Sequence, residues 1–242
     1  MRLHTRFRLV FIILIVAVLP IPIMASPTPV IPYRKVNLLL NHQSWIDNFI
    51  DPTLDNRWTW VREDSSLWSL TTNPGFMRIT SSGSIFQTSN NEKNILLTPA
   101  PGGDYRLTMR VQASPTENYH GAALYVYQDD DNFIELTRIY ADGPSVALRT
   151  EVAGITWSSY IDVTQDDILL RIIKIGDDYY AWFSEDNGAT RNFIDQFNAS
   201  FTNPKVGLGV RMGPTTTPLT ADFDYISLEN YMETIFMPLV VR

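Results

Sequence analysis

The sequence contains no cysteine, and its 242 residues include only three histidines. A chain without cysteine forms no disulfide, so its stability must come from a hydrophobic core or from a bound metal. Of His4, His42 and His120, only His120 falls at the start of a predicted strand, where a lone histidine is more often hydrogen-bonded or exposed than catalytic. An H-E-x-x-H motif and a glycine-rich phosphate loop are also missing. The common metal-hydrolase and nucleotide-binding classes are therefore excluded.

Basic residues are scarce relative to acidic ones. The chain has 19 lysines and arginines against 26 aspartates and glutamates, a net charge of −7. Residues 1–25 contain three of the arginines and no acidic residue, so without them the net charge falls to −10. Such a surface repels phosphate groups, and no basic stretch offsets it. The composition predicts neither a nucleic acid nor an anionic membrane as a partner.

The one long apolar run lies near the N-terminus. Residues 1–8 are basic, residues 9–19 are apolar, and residues 20–25 end in a small-residue sequence. This order predicts a secretory signal peptide over residues 1–25. The alternative is a retained anchor, although Pro20 and Pro22 interrupt the run and it is short for a bilayer. We expect a secreted or cell-surface protein without membrane insertion once the signal is cleaved.

The remaining chain has almost no segment at helical period. Residues 26–43 are proline-rich and predict a linker, residues 44–230 form the predicted domain, and residues 231–242 form a C-terminal tail. The domain contains short alternating or apolar runs separated by turn signals, such as residues 104–113 and 122–127. Strands at this spacing leave no room for crossover helices. They predict an all-β fold of two antiparallel sheets packed face to face.

One predicted hairpin turn carries a known motif. Residues 184–190 (SEDNGAT) match the Asp-box pattern S-x-D-x-G-x-T. In that motif the serine and aspartate side chains bond the backbone of their own turn, which stabilises the turn and implies no catalysis.

Several short motifs follow one another in a constant order along the predicted domain. They are residues 47–60 (DNFIDPTLDNRWTW), 68–70 (WSL), 74–79 (PGFMRI), 94–97 (NILL), 121–133 (GAALYVYQDDDNF), 170–183 (LRIIKIGDDYYAWF) and 221–225 (ADFDY). Together they resemble the concanavalin A-like β-sandwich appended to family 43 glycoside hydrolases such as β-xylosidases, and related stand-alone domains of exported bacterial proteins. The resemblance spans about residues 44–230 and implies a jelly-roll sandwich. The five-bladed propeller that carries the catalytic acids of those hydrolases has no counterpart in this sequence.

The acidic residues do not follow the pattern of a glycosidase. Concanavalin A-like hydrolases usually place their acids at alternate positions of one strand, as in E-x-D-x-E, so that they face the same side. Residues 129–131 are three consecutive aspartates, and Asp222 and Asp224 alternate without a third acid. We therefore predict no catalytic residues and no enzyme activity, and we keep a glycoside hydrolase as the third alternative.

The resemblance also implies a structural calcium ion. Exported sandwiches of this type often use Ca²⁺ to join the first strand to the last, with a carboxylate from each. Asp47 and Asp222 occupy the matching positions. The alternative is that both are surface acids beside the buried aromatics Phe49 and Phe223.

Aromatic residues provide the candidate carbohydrate site. Trp58 and Trp60 alternate with Thr59, so both indoles project from one face, with Arg62 nearby to bond sugar hydroxyls. The alternative is that these tryptophans belong to the core.

A second candidate surface lies on the next strands. Tyr125 and Tyr127 point away from the aliphatic row of their strand, and Glu135 shares that face from the following strand. Trp157 falls in a loop or edge segment and is the indole expected to be exposed.

Two classes of function remain open. The leading hypothesis is an exported, non-catalytic, carbohydrate-associated module that binds a polysaccharide or oligosaccharide as a monomer. The rival is a structural or protein-interaction sandwich whose aromatic residues all lie in the core.

Overall fold

The computed structural model describes residues 33–36, 44–87, 89–231 and 235–238. Internal contacts divide the chain into two units, Met1–Val36 with Phe236–Arg242, and Asn37–Ile235. The described strands are β1 (Tyr33–Val36), β2 (Trp45–Asp47), β3 (Thr59–Val61), β4 (Trp68–Ser69), β5 (Met77–Thr80), β6 (Ile95–Pro99), β7 (Tyr105–Ala113), β8 (Gly121–Asp129), β9 (Asn132–Tyr140), β10 (Pro144–Val152), β11 (Ile155–Asp162), β12 (Asp167–Ile175), β13 (Asp178–Ser184), β14 (Asn192–Asn198), β15 (Lys205–Arg211), β16 (Thr220–Asn230) and β17 (Ile235–Pro238).

Fifteen of these strands form two antiparallel sheets. One sheet has seven strands in the order β11-β10-β9-β8-β15-β6-β3. The other has eight strands, β14-β13-β12-β7-β16-β5-β4, with β2 pairing on β16. Strands β7 to β10 are each nine residues long. Along each of them, successive side chains point to opposite faces of the sheet, as the sequence period predicts. The predicted sandwich of two antiparallel sheets is confirmed.

The main hydrophobic core lies between the two sheets. Strand β8 contributes Leu124 and Val126 to it, and strand β7 contributes Leu107 and Met109, all fully buried. Each such side chain stabilises the fold by about 1.5–3 kcal/mol through its burial. The core therefore supplies the stability that a chain without cysteine requires.

A second, smaller apolar cluster covers the opposite face of the seven-stranded sheet. Here Tyr125 and Tyr127 of β8 pack with Phe133 of β9 and with Ile85. Ile85 belongs to the segment between β5 and β6, of which residues 81–87 and 89–94 are described and which we call the cover loop. Because the cover loop lies over the sheet, the tyrosines predicted to face outward are buried although they do point away from the core.

Two glycines of β15 let other groups approach its backbone. A Cβ atom on Gly207 would lie 1.8 Å from the carbonyl oxygen of Leu96 on the neighbouring strand. A Cβ atom on Gly209 would lie 2.9 Å from a carboxyl oxygen of Glu92 in the cover loop. Glycine at position 209 therefore makes the space that the Glu92 side chain occupies.

The predicted Asp-box turn is confirmed between β13 and β14. Asp186 accepts hydrogen bonds from the hydroxyl of Ser184 at 2.7 Å and from the backbone N–H of Thr190 at 2.8 Å. These bonds hold the pKa of Asp186 at about 2. All of them stay within the turn, so the motif stabilises a hairpin, as expected.

The two ends of the chain lie largely outside the described residues. The predicted signal peptide, residues 1–25, lies outside the described residues, and the described part of the chain includes no helix of the length and hydrophobicity needed to cross a bilayer. The predicted linker includes β1, and the predicted tail includes β17. These two strands pair in a two-stranded sheet.

Candidate functional site

A pocket lies on the outer face of the seven-stranded sheet, beside the cover loop. Its cavity has a volume of about 580 Å³. Its wall includes three aromatic residues, one serine and two arginines: Phe86, Tyr119, Tyr160, Ser158, Arg149 and Arg211. A larger cavity of about 730 Å³ lies elsewhere, but there Arg78 and Asp222 bind each other through two hydrogen bonds. The smaller pocket is therefore the better candidate site.

The strand register builds the floor of this pocket. Tyr125 of β8 lies opposite Glu135 of β9, Glu135 lies opposite Arg149 of β10, and Arg149 lies opposite Ser158 of β11. Directly paired residues point to the same side of a sheet, so these four side chains form one row across four strands. The row runs from the buried cluster to the rim of the pocket.

Glu135 is the centre of a buried ionic group. Its Oε1 atom lies 2.8 Å from Nη1 of Arg211 and 3.1 Å from Nη1 of Arg149. The Glu135 side chain has no exposed surface, and the two arginine side chains are 2–3% exposed. Removing one partner of such a group leaves an unpaired buried charge, which costs about 3–5 kcal/mol.

A second buried carboxyl group, Glu92, reaches the same group from the cover loop. The Tyr125 hydroxyl oxygen lies 3.0 and 3.2 Å from the two carboxyl oxygens of Glu92, and 3.2 Å from Oε2 of Glu135. A phenol carries one hydrogen, so it can donate to only one carboxyl group at a time. The other carboxyl group must carry its own proton to make a favourable contact.

The pKa shifts identify the protonated member of this pair. Burial, and next the charge of Glu135, raise the pKa of Glu92 to about 8. Burial also raises the pKa of Glu135, but the Arg211 guanidinium opposes that rise. At neutral pH Glu92 is therefore the neutral acid, and Glu135, paired with two guanidinium groups, is the carboxylate.

Arg62, a predicted site residue, binds the backbone of Glu92. Its Nε donates to the backbone oxygen of Glu92 at 2.6 Å, and its two terminal nitrogens bind Asp130 at 2.7 and 2.9 Å. The Tyr127 hydroxyl donates to the same Asp130 at 2.8 Å. Both predicted residues, Arg62 and Tyr127, therefore act in a network that anchors the cover loop, away from the pocket wall.

Trp58 and Trp60 pack on the core side of the sandwich. Trp58 is 6% exposed, its ring meets that of Trp45 edge-on at 5.4 Å, and its indole N–H donates to Asp47. Trp60 packs against Trp68 with ring centres 5.0 Å apart. A buried indole with a satisfied N–H offers no face to a sugar, so the structure favours the core alternative for Trp58.

Trp157 is exposed, as expected, and borders the pocket. Its indole is 37% exposed, but the ring stacks on Phe197 of β14 at 6.1 Å. Trp157 lies opposite Thr150 in the register and so points to the other side of β11 from Ser158. One face of the Trp157 indole is therefore packed against β14, the edge strand of the eight-stranded sheet.

The predicted calcium ligands lie at separate places along β16. Asp47 pairs with Ile226 and accepts hydrogen bonds from Phe49 N and Trp58 Nε1, whereas Asp222 is held by Arg78. No group of three or more histidine, aspartate or glutamate side chains in the described ranges is arranged to hold a metal ion. Calcium binding by Asp47 and Asp222 stays a prediction.

Tyr125 and Glu135 were predicted from the sequence, whereas Glu92, Arg149, Arg211 and the rim residues Tyr119 and Tyr160 were not. The sequences of β10 and β15 each contain a sign of this site. Arg149 stands on the opposite face of β10 from Leu148, and Arg211 ends a strand whose two preceding residues on the same face are Gly209 and Gly207. Charged residues on the same face as Tyr125 indicate a polar site there. No sequence signal places the cover-loop residue Glu92 beside them.

Residues 46–229 match the family described as Beta xylosidase C-terminal Concanavalin A-like domain. This match covers more than half of the chain, and the chain therefore belongs to that family. The fold of a GH43 protein from Bacillus licheniformis is similar, with a TM-score of 0.72 and 20% identity over 77% of this chain and 39% of that one. No curated protein matches the sequence.

Two further solved structures share the fold. A xylan beta-1,4-xylosidase from Bacillus halodurans has a TM-score of 0.65 and 18% identity, over 84% of this chain and 41% of its own. A functionally unknown protein from Saccharomyces cerevisiae has a TM-score of 0.59 and 15% identity, over 73% of this chain and 98% of its own. This chain thus spans about two fifths of the GH43 proteins but nearly all of the yeast protein.

Proposed function

We propose that this protein is an exported, non-catalytic module that binds a polysaccharide or oligosaccharide in the pocket beside the cover loop. The observation that carries the proposal is a cavity walled by aromatic rings and hydrogen-bonding groups on a rigid sheet. Binding sites of this kind combine apolar area with a few polar groups that orient the ligand. Membership in a domain family of β-xylosidases supports a role near carbohydrate.

Two exposed tyrosines are suited to contact a sugar ring. Tyr119 is 45% exposed and Tyr160 is 41% exposed, and both line the pocket. A flat ring can cover the apolar face of a pyranose, while its hydroxyl bonds the sugar's own hydroxyls. Ser158 and Asn91 add further polar groups to the same wall.

One observation favours a hydrolase as the second candidate. Glu92 and Glu135 share one phenol, and a buried acid with a raised pKa beside a carboxylate is typical of glycosidases. Against this, neither glutamate has exposed surface, and Tyr125 lies between them where a glycosidic oxygen would have to sit. We therefore favour binding over hydrolysis.

The test of binding combines retention on insoluble xylan with calorimetric titration of xylo-oligosaccharides. We expect Tyr119→Ala and Tyr160→Ala each to weaken binding about five- to tenfold or more, because a stacked ring contributes about 1–3 kcal/mol. Phe193→Ala is the matched control, since Phe193 is 44% exposed on the other sheet and packs on Trp182.

The outcomes separate the three candidates. Equal retention of all variants would show that the pocket does not bind the glycan. No retention of the unaltered protein on any glycan would favour the structural or protein-interaction alternative. Release of reducing sugar that is lost in Glu92→Gln would establish the hydrolase.

A further inference from the structure

We infer that the pocket selects a sugar that carries a carboxylate, a uronic acid, through Arg149 and Arg211. This inference rests on the proposed function and specifies its ligand class. Among the described residues that line the pocket, the charged ones are these two arginines, and both carry a positive charge.

The arginines have donors that the protein itself does not use. Nε of Arg149 and Nη2 of Arg211 are buried and have no hydrogen-bond acceptor within the described structure. A buried donor without an acceptor lowers the stability of the fold. Since both side chains line the cavity, an acceptor placed there would relieve that cost.

The charge of the site is unbalanced in the same direction. Two guanidinium groups face one carboxylate, Glu135, because Glu92 is protonated at neutral pH. The nearby carboxylate of Glu151 accepts a hydrogen bond from the Gln87 backbone N–H at 2.7 Å and is 3% exposed. The pocket wall, which includes none of these glutamates, is therefore positively charged within a strongly acidic protein.

The Arg149 guanidinium is also oriented before any ligand binds. The Phe86 ring lies against its guanidinium, with the Arg149 Cζ atom 3.5 Å from the ring centre. Such stacking covers a face of the guanidinium and fixes the direction of the N–H donors on its edge. Arg211 is oriented by a hydrogen bond from its Nε to the Tyr119 carbonyl at 3.2 Å.

A carboxylate suits these donors better than a neutral hydroxyl does. Arginine binds carboxylates through parallel charge-assisted hydrogen bonds, which are about twice as strong as neutral ones. Tyr119, Tyr160 and Ser158 surround the arginines with groups that suit a sugar ring. The combination favours a uronic acid over a simple anion, which lacks a ring to contact the rim.

The experiment titrates the full protein with a glucuronate-substituted xylo-oligosaccharide and with the same oligosaccharide lacking the substituent. We expect the acidic compound to bind about tenfold tighter or more, because hydrogen bonds to charged groups contribute about 1.5–3 kcal/mol. Its affinity should fall as salt is added, and that of the neutral compound should not.

Variants test whether the arginines cause this preference. Arg149→Lys and Arg211→Lys keep the charge that balances Glu135 but lose the paired donors, and each should remove most of the preference. Arg171→Lys, on the other sheet, is the matched control. Thermal unfolding of each variant confirms folding, and the salt dependence of the unaltered protein tests the inference without any substitution.

Each outcome is decisive. Equal binding of both compounds would overturn the uronic acid inference and leave the proposed function intact. Binding of neither would overturn both. Acetate or inorganic phosphate competing as well as glucuronate would show an anion site that does not recognise a sugar, which also contradicts the inference.

Discussion

Glu92 illustrates how a single carboxyl group connects fold and chemistry. It has no exposed surface, it contacts Tyr125, and its pKa is raised to about 8 chiefly by burial. A group that binds its proton more tightly in the folded state lowers stability as pH rises from the unfolded pKa to the folded one. The relevant window therefore runs from about pH 4.5 to about pH 8.

We expect the protein to lose stability across that window because Glu92 must ionise without a partner, with an effect on the order of a few kcal/mol. Glu92→Gln should flatten this pH dependence and be more stable than the unaltered protein near pH 8. Urea unfolding at both ends of the window measures it. Glu117→Gln, at an exposed position, is the control, and an identical pH slope in Glu92→Gln would contradict the assignment.

Individual residues also show the limits of sequence reasoning. Alternation placed Tyr125 and Glu135 on the correct face of the sheet, because the side-chain period of a strand is two. It did not predict that the cover loop buries both of them. Exposure depends on a segment that lies far from these residues in the chain.

At the scale of elements, β15 and the cover loop fit together through a missing side chain. Gly209 faces Glu92 and Tyr125, at 2.9 and 3.1 Å from the position where a Cβ would stand. The cover loop is further held by a hydrogen bond from Met212 N to the carbonyl of Gly83 at 2.9 Å. The glycine is thus a packing requirement of the site.

We expect Gly209→Ala to destabilise the protein by about 1–3 kcal/mol, because the added methyl group displaces Glu92 from its position. It should also weaken ligand binding, since Glu92 and Glu135 share Tyr125. Chemical unfolding and glycan titration measure the two effects. Gly143→Ala serves as control because its added Cβ meets no atom within 4 Å, and equal effects of both substitutions would argue against the packing requirement.

At the scale of the whole molecule, two sheets close over one core and the outer face of one sheet carries the site. The matched family places such a domain at the C-terminus of β-xylosidases. The residues that line the pocket all lie within Asn37–Ile235.

A calcium ion bound by Asp47 and Asp222, as predicted, would join the first strand of the sandwich to the last. If Asp47 and Asp222 together bind calcium, EDTA should lower the melting temperature and added calcium should restore it. Asp47→Asn should then abolish the response. An unchanged melting temperature would instead support the hydrogen bonds seen for both residues as their whole role.

The class of fold, the Asp-box turn and the faces of the long strands were predictable from the order of the amino acids alone. These follow from local period and turn chemistry, which a short stretch of residues specifies. That Glu92, Tyr125, Glu135, Arg149 and Arg211 meet in one buried group beneath the pocket follows only from the three-dimensional structure. They come from the cover loop and four strands, and strand order and loop position are set by packing between distant segments, which no local pattern records.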